Sequence, residues 1–132
     1  MFDLSTRILV VDDMLTMRKL VMKSCKDVGF TDFIEAADGA KAWEALTNSN
    51  PPVGIIISDW NMPNSSGIDF LKRVRSESRY KALPFLLVTA EAEGHQVVEA
   101  VKAGVTEYLI KPFTRDSLET KLKNAYKKIK GA

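Results

Sequence analysis

The amino-acid sequence predicts a doubly wound α/β domain, a parallel sheet with helices on both faces. Three observations lead there. Five short apolar runs rich in strand-favouring residues recur along the chain, each too short for a helix. Segments with helical apolar spacing separate them, so strand and helix alternate. The first, third and fourth runs are continuously apolar, as strands buried on both faces are.

The first run, 8–11, ends in Asp12 and Asp13. Met17, Leu20, Val21 and Val28 then recur at helical spacing before Gly29, which suits a helix carboxyl terminus. The second run is 33–36. Pro51 and Pro52 punctuate the approach to the third, 55–57, which leads into Asp59. After Gly67, Phe70, Leu71 and Val74 mark another helical face. The fourth run, 85–88, leads into Thr89, and Gly104 caps the helix that follows. The fifth, 108–110, leads into Lys111. The tail, 117–130, sets Leu118, Leu122, Tyr126 and Ile129 on one side of a closing helix. Lys121, Lys123, Lys127, Lys128 and Lys130 fall largely on another, either a solvated face or a docking surface for an acidic partner.

Composition narrows the class. At 132 residues, 45% hydrophobic and 27% charged, the chain fits one soluble globular domain, 1–132, with room for a single core. Its formal charge of +2 is too small to argue for nucleic acid or a membrane surface. With Cys25 as the one cysteine, an intrachain disulfide, a thiolate cluster and a CxxC pair are excluded, and a reducing cytoplasm is the expected compartment. The first six residues lack a basic segment leading into an apolar one, and no apolar run approaches the roughly 20 residues of a membrane helix. A monomer is expected.

In a right-handed doubly wound sheet, chemistry collects at the carboxyl ends of the strands. Asp12, Asp13 and Asp59 all fall there. Two carboxylates about 4 Å apart repel by roughly 4 kcal/mol at an effective dielectric near 20, so gathering them requires compensation. A hard divalent cation supplies it, and Mg²⁺ characteristically takes one or two carboxylates together with phosphate oxygens. Zinc prefers His or Cys, and His95 and Cys25 lie in or near predicted helices away from this edge. Lys111 and Thr89 bring a cation and a hydroxyl to the same edge. Phosphoryl transfer needs such a set, because charge on the equatorial oxygens must be neutralised while a nucleophile attacks in line. A carboxylate can be that nucleophile.

LVVDD at 9–13, EAADG at 35–39, SDWNMPNSSG at 58–67, VTAEA at 88–92 and YLIKPFT at 108–114 occur in an order and spacing that resemble the response-regulator receiver domains. The likeness spans nearly the whole chain and is strongest to the single-domain chemotaxis receivers. It implies a flavodoxin-like sheet in the order 2-1-3-4-5 with five helices. By the same likeness Asp59 is the phosphoacceptor, Asp13 and Asp59 bind Mg²⁺ directly, Asp12 acts mainly through water, and Asn61 adds its backbone carbonyl. Lys111 pairs with the bound phosphoryl group, Thr89 moves to hydrogen-bond it, and Tyr108 turns inward behind Thr89. A cis peptide between Lys111 and Pro112 is implied as well.

The family's phosphodonor is a phosphohistidine on a sensor kinase, for which small acyl phosphates substitute. The chain would then catalyse only its own phosphorylation and slow dephosphorylation, and would not be a turnover enzyme. Its expected output is contact through helix four, strand five and helix five with the flagellar motor switch, and a phosphatase is a further expected partner. Glu93, Gly94 and His95 stand where relatives commonly carry lysines, and Ser65 and Ser66 also depart from the usual pattern. Trp60 is expected to be an ordinary partly buried aromatic that reports on the site. Glu91 either tunes the phosphorylated lifetime or simply begins a helix. Met62 and Pro63 are expected to shape the loop over the pocket, and Gly67 to supply a turn conformation other residues resist.

Rival classes are weaker. An aspartate-nucleophile phosphatase would place a second Asp two residues after the first, where Asn61 stands. A flavin or nucleotide carrier would need a Gly-rich phosphate loop, which is missing. Within the family, the alternatives are a phosphate sink, a relay intermediate or a regulator of another partner.

Overall fold

Apolar residues alternate between two opposite cores along each central strand, and this sets the layers of the molecule. In the computed structural model, which describes residues 1–90 and 94–130, Ile8, Val10, Ile55, Ile57, Leu86 and Val88 face one side. Leu9, Val11, Ile56, Phe85 and Leu87 face the other. The order is β1 (Arg7–Val11), α1 (Leu15–Val28), β2 (Asp32–Ala36), α2 (Gly39–Asn48), β3 (Val53–Asp59), α3 (Gly67–Ser76), a 3-10 turn (Ser78–Tyr80), β4 (Phe85–Thr89), α4 (Gly94–Ala103), β5 (Glu107–Ile110) and α5 (Arg115–Lys130). All neighbouring strands pair in parallel, in the order β2-β1-β3-β4-β5, so the five-stranded flavodoxin-like sheet with five helices is present as expected. α1 and α5 supply Val21, Cys25, Leu118 and Leu122 to the first core, while α2, α3 and α4 supply Leu46, Leu71, Val74 and Ala100 to the second.

Both cap glycines act as anticipated. Gly29, at φ 127°, donates its N–H to the carbonyls of Cys25 and Lys26, and Gly104 adopts φ 93° after α4. The side chain of Asp38 caps α2 by accepting from Lys41 N–H at 2.8 Å, and Ser66 caps α3 from Asp69 N–H at 3.2 Å. The Lys111–Pro112 peptide is cis, and so is Asn50–Pro51, which the sequence did not suggest. The closing helix begins at Arg115, two residues before the expected start.

Its lysines also divide. Lys121 and Lys128 reach back to the buried carboxylate of Glu107 at the start of β5, whereas Lys123, Lys127 and Lys130 face solvent. No described helix is long and apolar enough to cross a membrane. The readings of Glu91 and Glu93 lie outside the described residues. Gly94 opens α4 and His95 is exposed on it, beside the α3–α4 groove.

Candidate functional site

Four parallel strands deliver their ends to one rim. β1 runs into Asp12 and Asp13, β3 ends on Asp59, β4 ends on Thr89, and β5 is followed directly by Lys111. Oxygens of Asp12, Asp13 and Asp59 lie within 4.8 Å of one another. Asp12 and Asp59 are buried and Asp13 is exposed, so the cluster is a cup with one open wall. The Lys111 ammonium reaches into it, 2.9 Å from Asp59 Oδ1 and 3.8 Å from Asp12 Oδ2. Its backbone is fixed by the neighbouring strand, since Lys111 N–H donates to the Thr89 carbonyl at 2.7 Å.

One ammonium against three carboxylates leaves excess negative charge. The donors are all oxygens, two of them desolvated, and that set suits a hard divalent cation such as Mg²⁺ better than a thiol- or imidazole-seeking metal. Cys25 is sealed in the α1 core, where burial pushes its thiol up to about 12 and keeps it protonated.

The match to known sequences covers this whole rim. Residues 8–123 fit the response regulator receiver domain. The chain belongs to that family. The receiver is 43% identical over 125 residues to the chemotaxis protein CheY of Pseudomonas aeruginosa, an alignment covering 95% of this chain and 99% of the relative. It is also 43% identical over 116 residues to CheY1 of Helicobacter pylori, covering 88% and 93%. The chemotaxis response regulator CheY4 of Vibrio cholerae superposes with a TM-score of 0.83 at 34% identity, over 92% of this chain and 98% of that one.

Within the receiver, Asp12 is held from several directions. Its N–H donates to the Ala36 carbonyl at 3.1 Å, and its Oδ1 accepts from Met14 N–H at 2.9 Å. Burial raises the Asp12 pKa above the usual 3.8, and the Asp59 and Asp13 carboxylates add to the rise; the Met14 N–H and the Lys111 ammonium oppose it. The folded chain thus keeps this proton to higher pH than the unfolded chain does. In chelator-treated buffer, the contribution of Asp12 to stability should therefore fall as pH rises from the ordinary Asp range through the raised value. Urea unfolding across that window checks it: Asp12→Asn should flatten the fall, and an unchanged slope would count against the burial argument.

Asn61, whose backbone carbonyl the family likeness assigns to the metal, lies exposed in the loop that follows β3 at this rim. Trp60 beside it is more buried than the sequence suggested. Its backbone N–H donates to the Val88 carbonyl at 2.9 Å and its ring packs edge-on to Tyr108 at 6.4 Å, which couples the loop to β5. Tyr108 is half-buried, while Thr89 is 1% exposed. Met62 packs on the core beneath this loop and Pro63 is exposed.

Gly67 has a role different from the one expected, because its φ is not in the left-handed region; Asn64, at φ 69°, provides that turn. Gly67 supplies space. A Cβ there would lie 2.1 Å from the Asp59 carbonyl oxygen. Arg18 is a further site neighbour, outside the strand-end pattern. From the first turns of α1 its Nη1 donates to the Asp12 carbonyl at 2.7 Å, and its Nε donates to Glu35 Oε1 at 2.9 Å. Nothing local in the sequence points to that link, since its partners come from the loop after β1 and from β2.

Proposed function

We propose that this receiver is a phosphoryl-accepting cytoplasmic response regulator of a two-component system, phosphorylated on Asp59 by a histidine kinase, with chemotaxis signalling as its output. The observation that carries the proposal is the Lys111 ammonium set between Asp59 and Asp12 in a cup of three carboxylates. Asp12, Asp13, Asp59 and the Asn61 carbonyl would hold Mg²⁺. When bound, that ion neutralises charge on the phosphoryl oxygens.

The Asp59 carboxylate attacks the phosphorus of the phosphohistidine. A P–O bond forms as the P–N bond breaks, and the imidazole leaves with the electron pair and takes up a proton. Lys111, already 2.9 Å from Asp59 Oδ1, is placed to pair with the transferred group. With Asn61 where a phosphatase has its second acid, hydrolysis of the acyl phosphate is slow and self-limited, so the chain is a switch and not a turnover enzyme.

The buried Thr89 hydroxyl moves to bond the phosphoryl group and Tyr108 follows it inward, which reshapes the face formed by α4, β5 and α5. Moving a two-state population from 1:99 to 99:1 requires about 5.5 kcal/mol of differential stabilisation, within the scale of a charge-assisted network. Val97, Val101 and Ile110 expose apolar surface on that face, and Lys121 borders it. The chemotaxis names of the relatives support a chemotaxis output, and the flagellar motor switch is the target proposed for it.

Incubation with acetyl phosphate and Mg²⁺ followed by mass spectrometry tests the proposal. One phosphoryl group is expected on Asp59. Chelation and Asp59→Asn should each abolish the label. Thr89→Ala should keep the label yet lose the label-dependent gain in affinity for motor-switch peptides. Labelling that persists in Asp59→Asn would overturn the assignment, and a label that never changes partner affinity would favour a phosphate sink.

A further inference from the structure

We propose that Arg18 is a positioning residue for the cation site, holding the Asp12–Asp13 peptide so that both carboxylates face Asp59. The inference rests on the Mg²⁺ reading above and extends it to a residue outside the ligand set. A peptide unit is planar, so the carbonyl of Asp12 and the N–H of Asp13 turn together as one rigid plate. Whatever fixes that plate sets ψ of Asp12 and φ of Asp13, and with them the directions in which both side chains leave the backbone.

Arg18 Nη1 holds the plate at 2.7 Å, while the Ala36 carbonyl holds the plate before it through Asp12 N–H at 3.1 Å. Asp12 is thereby clamped on both sides, once from α1 and once from the end of β2. The Arg18 side chain is only 16% exposed, so water competes weakly for its donors.

Glu35 completes the device. Its carboxylate takes Arg18 Nε at 2.9 Å and aims the planar fork at the Asp12 carbonyl. Glu35 is 41% exposed, so the pair has little value as a surface ion pair alone. Its consequence is geometric: it restricts the rotamer of a long side chain whose other end touches the acidic loop. Such an arrangement parallels the outer-shell groups that orient metal ligands, whose loss typically weakens affinity by roughly 10- to 100-fold.

The test is Mg²⁺ titration followed by Trp60 fluorescence or calorimetry, on wild type, Arg18→Ala, Arg18→Lys, Glu35→Gln and Asp59→Asn. Arg18→Ala is expected to weaken Mg²⁺ binding by roughly 10-fold. Arg18→Lys should recover little, because an ammonium lacks the fork, and Glu35→Gln should shift affinity in the same direction by less. Saturating Mg²⁺ should restore acetyl-phosphate labelling of Arg18→Ala to near the wild-type rate, which separates positioning from direct chemistry.

If Arg18→Ala lowers the unfolding temperature but leaves Mg²⁺ affinity unchanged, Arg18 is merely structural and the proposal is overturned. Should Arg18→Ala fail to fold, Glu35→Gln decides: wild-type affinity in that variant overturns the proposal. If the wild type itself takes up no Mg²⁺, and Asp59→Asn matches it, the underlying functional reading fails instead.

Discussion

Replacing Lys111 with Met is expected to lower the stability of the metal-free receiver by about 3 kcal/mol, at the low end for removing one partner of a buried ion pair. The ammonium lies 2.9 Å from Asp59 and 3.8 Å from Asp12, both carboxylates are buried, and Asp13 adds a third charge nearby. Without it their repulsion is uncompensated, roughly 4 kcal/mol per pair at 4 Å and an effective dielectric near 20. Met keeps most of the apolar stem, so the loss reports on charge more than packing. Added Mg²⁺ should then stabilise the variant more than the wild type, because the ion no longer shares the carboxylates with an ammonium. At a hundred times its dissociation constant a ligand stabilises by about 2.7 kcal/mol, a shift easily resolved in urea unfolding. Equal stability of variant and wild type in chelator would show that the charge balance of the cup is wrongly drawn.

Much of this architecture was legible because the interior strands carry unbroken apolar runs. β1 and β4 appear almost whole in the sequence, as 8–11 and 85–88, since each is buried on both faces. β3 is longer than its aliphatic stretch, running Val53–Asp59, because Gly54 and Ser58 interrupt the pattern at its ends. Ser58 is nonetheless fully buried, its hydroxyl donating to the Asp59 carbonyl. The candidate site was legible for a related reason: strand-end position alone brings Asp12, Asp13, Asp59, Thr89 and Lys111 to one rim. Features created by three-dimensional proximity were not. Arg18 meets Asp12 and Glu35 only once α1 folds back beside β1 and β2. Likewise the lysine face of α5 read as uniform, although Lys121 and Lys128 are tied to the buried Glu107.

Gly67 is required for space and not for a left-handed turn, so filling that space should be costly. Gly67→Ala is expected to destabilise the receiver by about 4 kcal/mol or more, in the range reserved for severe overpacking against backbone. The added Cβ would meet the Asp59 carbonyl oxygen at 2.1 Å, and the Asp59 carbonyl carbon and Trp60 Cα each at 3.0 Å. None of these atoms can rotate away. The loop is also pinned, with Gly67 N–H donating to the Trp60 carbonyl at 2.7 Å, so relief requires α3 to move off the end of β3. That movement displaces the peptide carrying Asp59, and acetyl-phosphate labelling should fall along with stability. Gly39→Ala provides the contrast, because its Cβ would meet only side-chain atoms of Ser65 at close range, at 2.4 and 2.8 Å. Its cost should be smaller and should largely disappear when Ser65→Gly is added. Thermal unfolding of the variants settles the matter: Gly67→Ala within about 1 kcal/mol of wild type would mean that backbone at the end of β3 yields more readily than a close-packed interior allows.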